Sequence, residues 1–592
     1  MRKLFAVFIS VSLAFSSCTD DSNSDVSSEN GRLSDAKGGK VFGGTLNISQ
    51  SENLTNLFPP GIVDVYTETV ASHVFESLVK FDAKTLEIKS AVAEDWDVSS
   101  DGLVYTFRLK KGIKFHDNAV FGGEGRELVA KDVLYSFELA CTQHEQNIMF
   151  TSTLKDRLQG ANDFYDASAS GTNEGERLTG VKVIDDYTIQ LTLVKPFSPF
   201  ISILTSASLS IVPKEAYEKY GVNITVGSGP FMVPEGQKIN DDSKIVLVRN
   251  PNYHDSDLLG NQLPFLDTLQ IIIIDSKKAE LEEFKKENLH IVDGLPAESI
   301  LELVEQQIAN FQNKPPKFLL DRGPTMGTEY YQFNTQHVAL SDKRVRQALN
   351  YAIDRNKIID KVLKGEAYGP GENGICPPTF NGYDISSING YTYDVRKAKQ
   401  LMAQAGYPNG KNFPTIKLEL NSGGSKNTNV AFEIQKQLMD NLNVNIDLEV
   451  VPFAQKLKDE QYGKADIFRA AWLADYPNPQ NFLFLFYGKH VPEDLNEPSF
   501  PNVTRYKNPE YDNLYSQALS SPSKEESYSL LAEAEAIMMD DAPIMVLWYN
   551  ENYKLIQSNI RNFYTNPMNY RDFSIVYFKS LSKGVTVTEQ GQ

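Results

Sequence analysis

The chain has 592 residues, of which 41% are hydrophobic and 23% are charged. This is an ordinary globular composition, and it excludes a disordered, collagen-like or charged-repeat chain as the main structure. The formal net charge is −19. Such an acidic chain is a poor partner for nucleic acid, because binding a phosphate backbone needs a basic surface. At roughly 150 residues per domain, the length predicts three or four structural units.

The first 18 residues have the order of charged and apolar residues that is typical of a bacterial lipoprotein signal. Arg2 and Lys3 precede the apolar run 4–14, and small residues then lead to Cys18. We predict a signal peptide over residues 1–17 and lipidation of Cys18, which becomes the first residue of the mature chain. The alternatives are an ordinary signal peptide with an unmodified cysteine, or a short buried helix.

Residues 18–43 are rich in Ser, Asp, Asn and Gly and poor in apolar residues. Such a segment buries too little surface to offset the entropy that it loses on ordering. We predict a flexible tether with an r.m.s. length of about 25 Å, which holds the folded body close to a membrane. Past the signal, no apolar run approaches the ~20 residues of a membrane span, so the lipid is the only membrane attachment that we predict.

From residue 44 onwards, alternating apolar residues predict strands, and helical spacing interrupts them. Strands are predicted at 45–48, 103–109, 189–193 and 269–274. The last is a continuous apolar run, which indicates a strand covered on both faces. Helical spacing occurs at 74–79, 133–141, 341–359 and 398–405. Ser341 is the predicted N-cap of the third helix, and Gly406 is the predicted C-cap of the fourth. This irregular alternation predicts α/β lobes.

The motifs of common enzymes and metal sites are missing from the sequence. It contains no phosphate-binding loop, no G-x-S-x-G, no Cys-x-x-Cys and no histidine pair at i, i+4. Cys141 lies in an apolar helical pattern and Cys376 in a proline-rich loop, so both are interpreted as structural thiols. We therefore predict no catalytic residue, no metal and no cofactor.

Several phrases occur in an order that is informative together. They include GGTL at 43–46, AEDW at 93–96, YTFRLKKGIKFHD at 105–117, RVRQALNYAIDR at 344–355 and WLADYPNP at 472–479. In this order they resemble the solute-binding proteins of peptide ABC transporters, a family that includes dipeptide- and oligopeptide-binding proteins. The resemblance covers residues 43–580, nearly the whole chain after the predicted signal.

The resemblance implies a two-lobed α/β fold of the periplasmic-binding-protein type, with an extra subdomain in the first lobe and two hinge crossings. By this resemblance, the first lobe comprises 44–325 and 541–592, and the second lobe comprises 326–540. The crossings are expected near 330–333 and 543–546. A ligand would bind in the cleft between the lobes, and closure would create the surface that a permease recognises.

The resemblance also implies which residues contact the ligand. Asp475 matches an aspartate that pairs with the α-amino group of a peptide, and Arg469 stands where some relatives have a carboxylate-binding arginine. Main-chain groups of Ala471, Trp472 and Leu473 are expected to pair with an extended peptide as an added strand.

Four further residues are expected at the site. Val65 and Tyr66 match the segment that contacts the ligand from the first lobe. Trp548 and Tyr549, like Trp472, are candidate pocket walls, and packing in the core is the alternative for each.

We predict a lipid-anchored, non-enzymatic receptor on the periplasmic or cell-surface side of a membrane. It is expected to be a monomer that captures short peptides and delivers them to an ABC permease complex. Two alternatives stay open: an oligosaccharide receptor of the same fold, and a surface lipoprotein that acts as an adhesin or peptide sensor. Asp475 argues against a sugar ligand, whereas the aromatic residues at 472–487 and 548–553 do not.

Overall fold

A computed structural model of the chain shows helices and strands arranged around one large mixed sheet. The structure describes residues 33–169, 177–241, 243–295, 299, 303, 316–422, 425–521 and 523–579. In this part of the chain the large sheet has 11 strands, and the smaller sheets have two to four. Cys18 and the predicted signal peptide lie outside the described residues, so lipidation stays a prediction.

Two long antiparallel strands, Phe318–Phe333 and Ile544–Gln557, run through the middle of the large sheet. We call them the crossing strands. They pair from Phe318 and Gln557 at one end to Gln332 and Ile544 at the other, with two shifts in register, one between residues 324 and 328 and one between residues 329 and 330. One half of each crossing strand therefore lies on the first-lobe side of the sheet, and the other half lies on the second-lobe side. The lobe boundaries predicted at 325/326 and 540/541 stay a prediction.

The first-lobe side of the sheet begins where Ile291–Asp293 pairs with the end of the second crossing strand. The sheet then continues through Thr45–Gln50, Thr268–Ile273, Lys244–Arg249 and Phe231–Met232. The strands predicted at 45–48 and 269–274 are confirmed. The prediction that the second of these strands is covered on both faces is wrong, because its buried residues alternate with half-buried ones.

A separate four-stranded antiparallel sheet forms the extra subdomain of the first lobe. Its strands are, in order, Ala93–Val98, Val104–Leu109, Thr188–Thr192 and Val181–Asp185. The strands predicted at 103–109 and 189–193 are confirmed. The helix Ala130–Ala140 packs against this sheet and ends at Cys141, which is buried. Cys141 and Cys376 are both buried free thiols, as a structural role requires.

The second-lobe side of the sheet begins with Ile467–Leu473, which pairs antiparallel with the first crossing strand. Ile416–Asn421 and Ile446–Val451 follow in parallel. The main helices of this lobe are Lys343–Tyr351, Val395–Gln404, Ser425–Leu442, Phe453–Gln461, Pro509–Ser520 and Lys524–Asp541.

Two predicted helices are present with changed ends. Asp342, and not Ser341, is the N-cap of the first, because its carboxylate accepts a hydrogen bond from the Arg344 N–H. That helix ends at Tyr351, and a separate short helix follows. The second predicted helix is confirmed, and Gly406 follows it with a φ of 94°, as a C-cap glycine does.

The helix predicted from the spacing at 74–79 is not present, so this prediction is wrong. The helix Val65–Val74 ends there, and the chain continues extended into the short strand Val79–Phe81. The carbonyls of residues 76, 77 and 78 accept hydrogen bonds from neighbouring main chain. These residues lie in the interior, where an apolar run fits an extended segment as well as a helix.

The flexible tether is wrong for residues 33–43, which the structure describes as ordered. Ser34–Asp35 pairs with Val41–Phe42 in a small hairpin. Val41 is buried, and the Lys40 ammonium lies 2.6 Å from the Asp257 carboxylate. Two apolar side chains and these polar contacts offset the entropy that a polar segment loses on ordering. Residues 18–32 lie outside the described residues.

Polar side chains from the 344–355 phrase hold the second crossing strand by its carbonyls. The fully buried Arg355 donates to the Val546 carbonyl at 2.6 Å and to the Asn350 side chain at 3.0 Å. Asn350 donates to the Ile544 carbonyl at 2.9 Å. Arg346 donates to carbonyls of residues 541 and 542, directly before the strand. Burial lowers the pKa of Arg355 to about 10. We call Arg346, Asn350 and Arg355 the carbonyl clamp.

We expect Arg355→Met to lower the free energy of unfolding by about 3 kcal/mol, because it leaves several buried acceptors without donors. Urea unfolding followed by circular dichroism measures this. The control is Arg344→Met on the neighbouring helix, where the side chain is half exposed; we expect a change within about 0.5 kcal/mol. Equal losses in the two variants would contradict the role of the clamp.

Candidate functional site

The strand Ile467–Leu473 has one free edge over most of its length. Its other edge pairs with the first crossing strand throughout. On the free side, the neighbouring strand Ile416–Asn421 pairs only with Ile467 and Phe468. From residue 469 onwards, no described strand covers this edge.

Main-chain groups of three residues face this free edge. In an antiparallel pair, alternate residues turn their N–H and C=O groups towards the partner strand. The Ala474 N–H donates to the crossing strand at 2.8 Å, and the Asp466 carbonyl accepts a bond of 2.9 Å at the other end. The main-chain N–H and C=O groups of the even-numbered residues between 466 and 474 therefore face the crossing strand. It follows that Arg469, Ala471 and Leu473 present their main-chain groups to the free edge. The predicted main-chain pairing is wrong for Trp472, whose groups face the crossing strand, and it stays a prediction for Ala471 and Leu473.

Asp475 lies directly beyond the free edge. Its carboxylate accepts a hydrogen bond of 3.0 Å from the Asn481 amide, and its N–H donates to the same side chain at 3.0 Å. In the described part of the chain, no cation pairs with it. The side chain is exposed to solvent, but surrounding protein raises its pKa, and the bond from Asn481 opposes the rise. Asp475 is thus a carboxylate at the rim of the site that has no counter-ion among the described residues.

A cavity that opens to solvent borders Asp475, and its space, with the open part included, is about 400 Å³. It is lined by residues between 149 and 206 on one side and by residues between 475 and 484 on the other. The two groups fall in the two predicted lobes, and we call this space the interlobe cavity.

Glu68 is a second carboxylate near this cavity, and sequence reasoning missed it. It lies on the helix Val65–Val74 and accepts a hydrogen bond of 3.2 Å from the Ala207 N–H. Burial raises its pKa to about 7, and the negative charges of Asp475 and Asp64 add to the rise. Nothing in the local sequence around Glu68 indicates this, because the residues that shift its pKa come mostly from distant segments.

Arg469 is on the free-edge strand, but its charge is already paired. Its guanidinium lies 2.6 Å from the Glu329 carboxylate on the first crossing strand, and both side chains are largely buried. Because Glu329 neutralises it, binding of a ligand carboxylate by Arg469 needs this ion pair to open. The predicted role of Arg469 stays a prediction.

Val65 and Tyr66 form the first turn of a helix, where the Asp64 carboxylate accepts from the Tyr66 N–H at 3.0 Å. Their main chain is therefore not an extended edge that could pair with a strand-like ligand. Val65 is exposed, and the Tyr66 hydroxyl lies 2.7 Å from the hydroxyl of Ser51. Side-chain contact with a ligand is the role that this geometry leaves to them.

Trp548 and Tyr549 lie in the core of the second crossing strand, with 3% and 4% of their surface exposed. The Tyr549 hydroxyl donates to the Gly374 carbonyl at 2.8 Å. The pocket-wall prediction is therefore wrong for both, and the core alternative holds. Trp472 is half-buried, and its indole N–H donates to Asn481 at 2.9 Å. It thereby helps to orient the amide that holds Asp475.

A second cavity of about 500 Å³ is lined by residues of the first predicted lobe alone. Its cations are already paired, Lys80 with Asp255 at 2.9 Å and Arg571 with Asp293. Across the described ranges, no three His, Cys, Asp or Glu side chains are grouped to hold a metal ion. No helix in those ranges is long and apolar enough to cross a membrane. The interlobe cavity is therefore the strongest candidate site.

Two lobes joined by two crossing strands, with a cleft between them, define a two-lobed binding protein of the periplasmic type. Comparison with protein families specifies the class. Residues 87–492 match the family described as bacterial extracellular solute-binding proteins, family 5. The chain belongs to this family.

Individual relatives match over almost the whole chain. The dipeptide-binding protein of Escherichia coli K12 is 26% identical over 544 residues, covering 89% of this chain and 93% of the relative. Heme-binding protein A of Haemophilus influenzae is 28% identical, covering 87% and 89%. The structure of DppA from Helicobacter pylori in complex with the peptide STSA has a TM-score of 0.73 at 27% identity, covering 91% of this chain and 99% of that one.

We expect Glu68→Gln to flatten the pH dependence of stability. Between about pH 5 and pH 7, Glu68 is protonated in the folded protein and ionised in the unfolded chain, so stability falls as the pH rises through this window. The wild type is expected to lose about 3 kcal/mol more than the variant between pH 5 and pH 8. Urea unfolding at a series of pH values measures this.

The matched control for that series is Glu533→Gln, at an exposed position on the helix Lys524–Asp541. A wild-type pH profile that coincides with the profile of Glu68→Gln would contradict the raised pKa of Glu68.

Proposed function

We propose that this protein captures short peptides in the interlobe cleft and delivers them to the permease of an ABC transporter. The observation that carries the proposal is the free edge of Ile467–Leu473, which ends at the unpaired carboxylate of Asp475. A peptide added as a strand would pair with the main chain of that edge. Its α-ammonium would then reach Asp475 and form a charge-assisted hydrogen bond.

The length of the edge indicates the size of the ligand. Arg469 to Leu473 spans about 13 Å at ~3.3 Å per strand residue, which is the length of three to five residues of an extended peptide. Main-chain pairing does not depend on the peptide sequence, so the edge would accept many peptides. Relatives named for dipeptides, and a structure in complex with STSA, support this ligand class.

The oligosaccharide alternative loses support from the positions of the aromatic residues. Sugar sites stack on exposed rings, but Trp548 and Tyr549 are in the core. The lining of the interlobe cavity contains no histidine, so no observation at the site favours haem. The adhesin or sensor alternative would use the same peptide site, and only transport distinguishes it.

We further propose that the protein is a lipoprotein anchored through Cys18 on the outer side of a membrane, and that it acts as a monomer without catalytic activity. Support comes from the order of residues in the signal and from a family described as extracellular.

Cys18→Ser is expected to move the protein from the membrane fraction to the soluble fraction after cell lysis. Retention of the variant in the membrane fraction would contradict the anchor.

We expect Asp475→Asn to weaken binding of the peptide Ala-Ala-Ala by about 100-fold, because truncating one partner of an enclosed charge pair costs about 3 kcal/mol. N-acetylation of the peptide removes the ammonium, and it is expected to weaken binding to the wild type by a similar factor. Isothermal titration calorimetry measures both effects.

The control variant is Asp447→Asn, at an exposed position on the outer strand Ile446–Val451 of the same lobe. It is expected to bind like the wild type. Equal affinity of the wild type for the free and the acetylated peptide would overturn the role of Asp475.

A further inference from the structure

Arg157 lines the interlobe cavity on the first-lobe side. Its Nη1 donates to the carbonyls of Ser152 and Thr153 at 2.8 and 3.1 Å, and the guanidinium lies over the ring of Phe197 at 5.0 Å. These contacts hold the side chain in place without neutralising it. In the part of the chain that the structure describes, no carboxylate forms an ion pair with Arg157.

The cavity thus carries two opposite charges that do not meet. Asp475 and Arg157 both line it, and yet no ion pair joins them. Each charge is partly removed from water, which disfavours it until an opposite charge arrives. A ligand that brings a cation to Asp475 and an anion to Arg157 would compensate both at once.

One further group favours an anion beside Arg157. The hydroxyl of Ser202 lines the same cavity, and it has no hydrogen-bond partner among the described residues. His490 lies near the guanidinium but stays neutral, because burial lowers its pKa to about 4 and the charge of Arg157 acts in the same direction. Arg157 and a free hydroxyl together form a donor set that suits a carboxylate.

The position of the cavity relative to Asp475 defines which part of a peptide enters it. The first side chain of a peptide is attached to the Cα next to the α-ammonium. If the α-ammonium is at Asp475, that side chain therefore lies beside the Asp475 carboxylate. We propose that the interlobe cavity receives the first side chain of the bound peptide, and that Arg157 selects an aspartate or glutamate there. This rests on the proposed peptide-binding function, and it adds the class of peptide preferred.

The test is calorimetry with the peptides Glu-Ala-Ala, Gln-Ala-Ala, Lys-Ala-Ala and Ala-Ala-Ala on the wild type. We expect Glu-Ala-Ala to bind about tenfold more tightly than Gln-Ala-Ala, and Lys-Ala-Ala to bind most weakly. Glutamate and glutamine have the same shape, so their ratio isolates the charge. This comparison needs no variant.

Arg157→Gln is expected to abolish the preference, so that Glu-Ala-Ala and Gln-Ala-Ala bind this variant with equal affinity. Binding of Ala-Ala-Ala also shows that the variant is folded. The matched control is Lys155→Gln, an exposed cation two residues away that does not line the cavity; it is expected to keep the tenfold preference.

Equal affinity of the wild type for Glu-Ala-Ala and Gln-Ala-Ala overturns the selection of an acidic first residue, as does a preference that persists in Arg157→Gln. In these cases binding of Ala-Ala-Ala leaves the peptide-receptor function standing. If none of the four peptides binds, that function fails and the preference fails with it.

Discussion

Pairing between the two crossing strands is the constraint on which the rest of the structure depends. Phe318–Phe333 and Ile544–Gln557 are the only strands of the described sheet that pair on both its first-lobe and its second-lobe sides. The carbonyl clamp holds the second strand where it enters the sheet, with the Asn350 amide and the buried Arg355 guanidinium donating to its carbonyls. Motion of one lobe relative to the other must therefore be absorbed in this pair, as in hinge closure.

The same pair positions the candidate site. Ile467–Leu473 is aligned along the first crossing strand, and this leaves its far edge open and places Asp475 at the cleft. Unpaired charges then collect there, with Asp475 on one side and Arg157 and Glu68 on the other. In the proposed function, a ligand that bridges the lobes would bring each of these charges a partner. Such contacts would favour a closed form, because they would be complete only there.

Resemblance predicted the fold class from the sequence, and it predicted that the main chain of Ala471 and Leu473 is free to pair, but not that Trp472 faces the crossing strand. The ligand roles of these residues and of Asp475 stay proposals. Resemblance and pattern both missed Glu68 and Arg157, because each acquires its role from segments far away in the chain, which periodicity cannot show. The 344–355 phrase predicted a helix but not the carbonyl clamp, whose acceptors lie about 190 residues later. Trp548 looked like a ligand platform because aromatic residues serve both in pockets and in cores. The predicted tether extends too far along the chain. The composition of residues 33–43 is mostly polar, and this hides the contribution of Val41 and Phe42 to ordering.

The central claim is that the interlobe cleft holds a short peptide by its ammonium and its main chain. Its most direct test is native mass spectrometry of the protein body purified from cells, followed by fragmentation of whatever is bound, since a cleft that closes on a ligand retains it. The account predicts a series of bound masses that resolve to peptides of about three to five residues with free amino termini. A single mass of a sugar or of haem would contradict it.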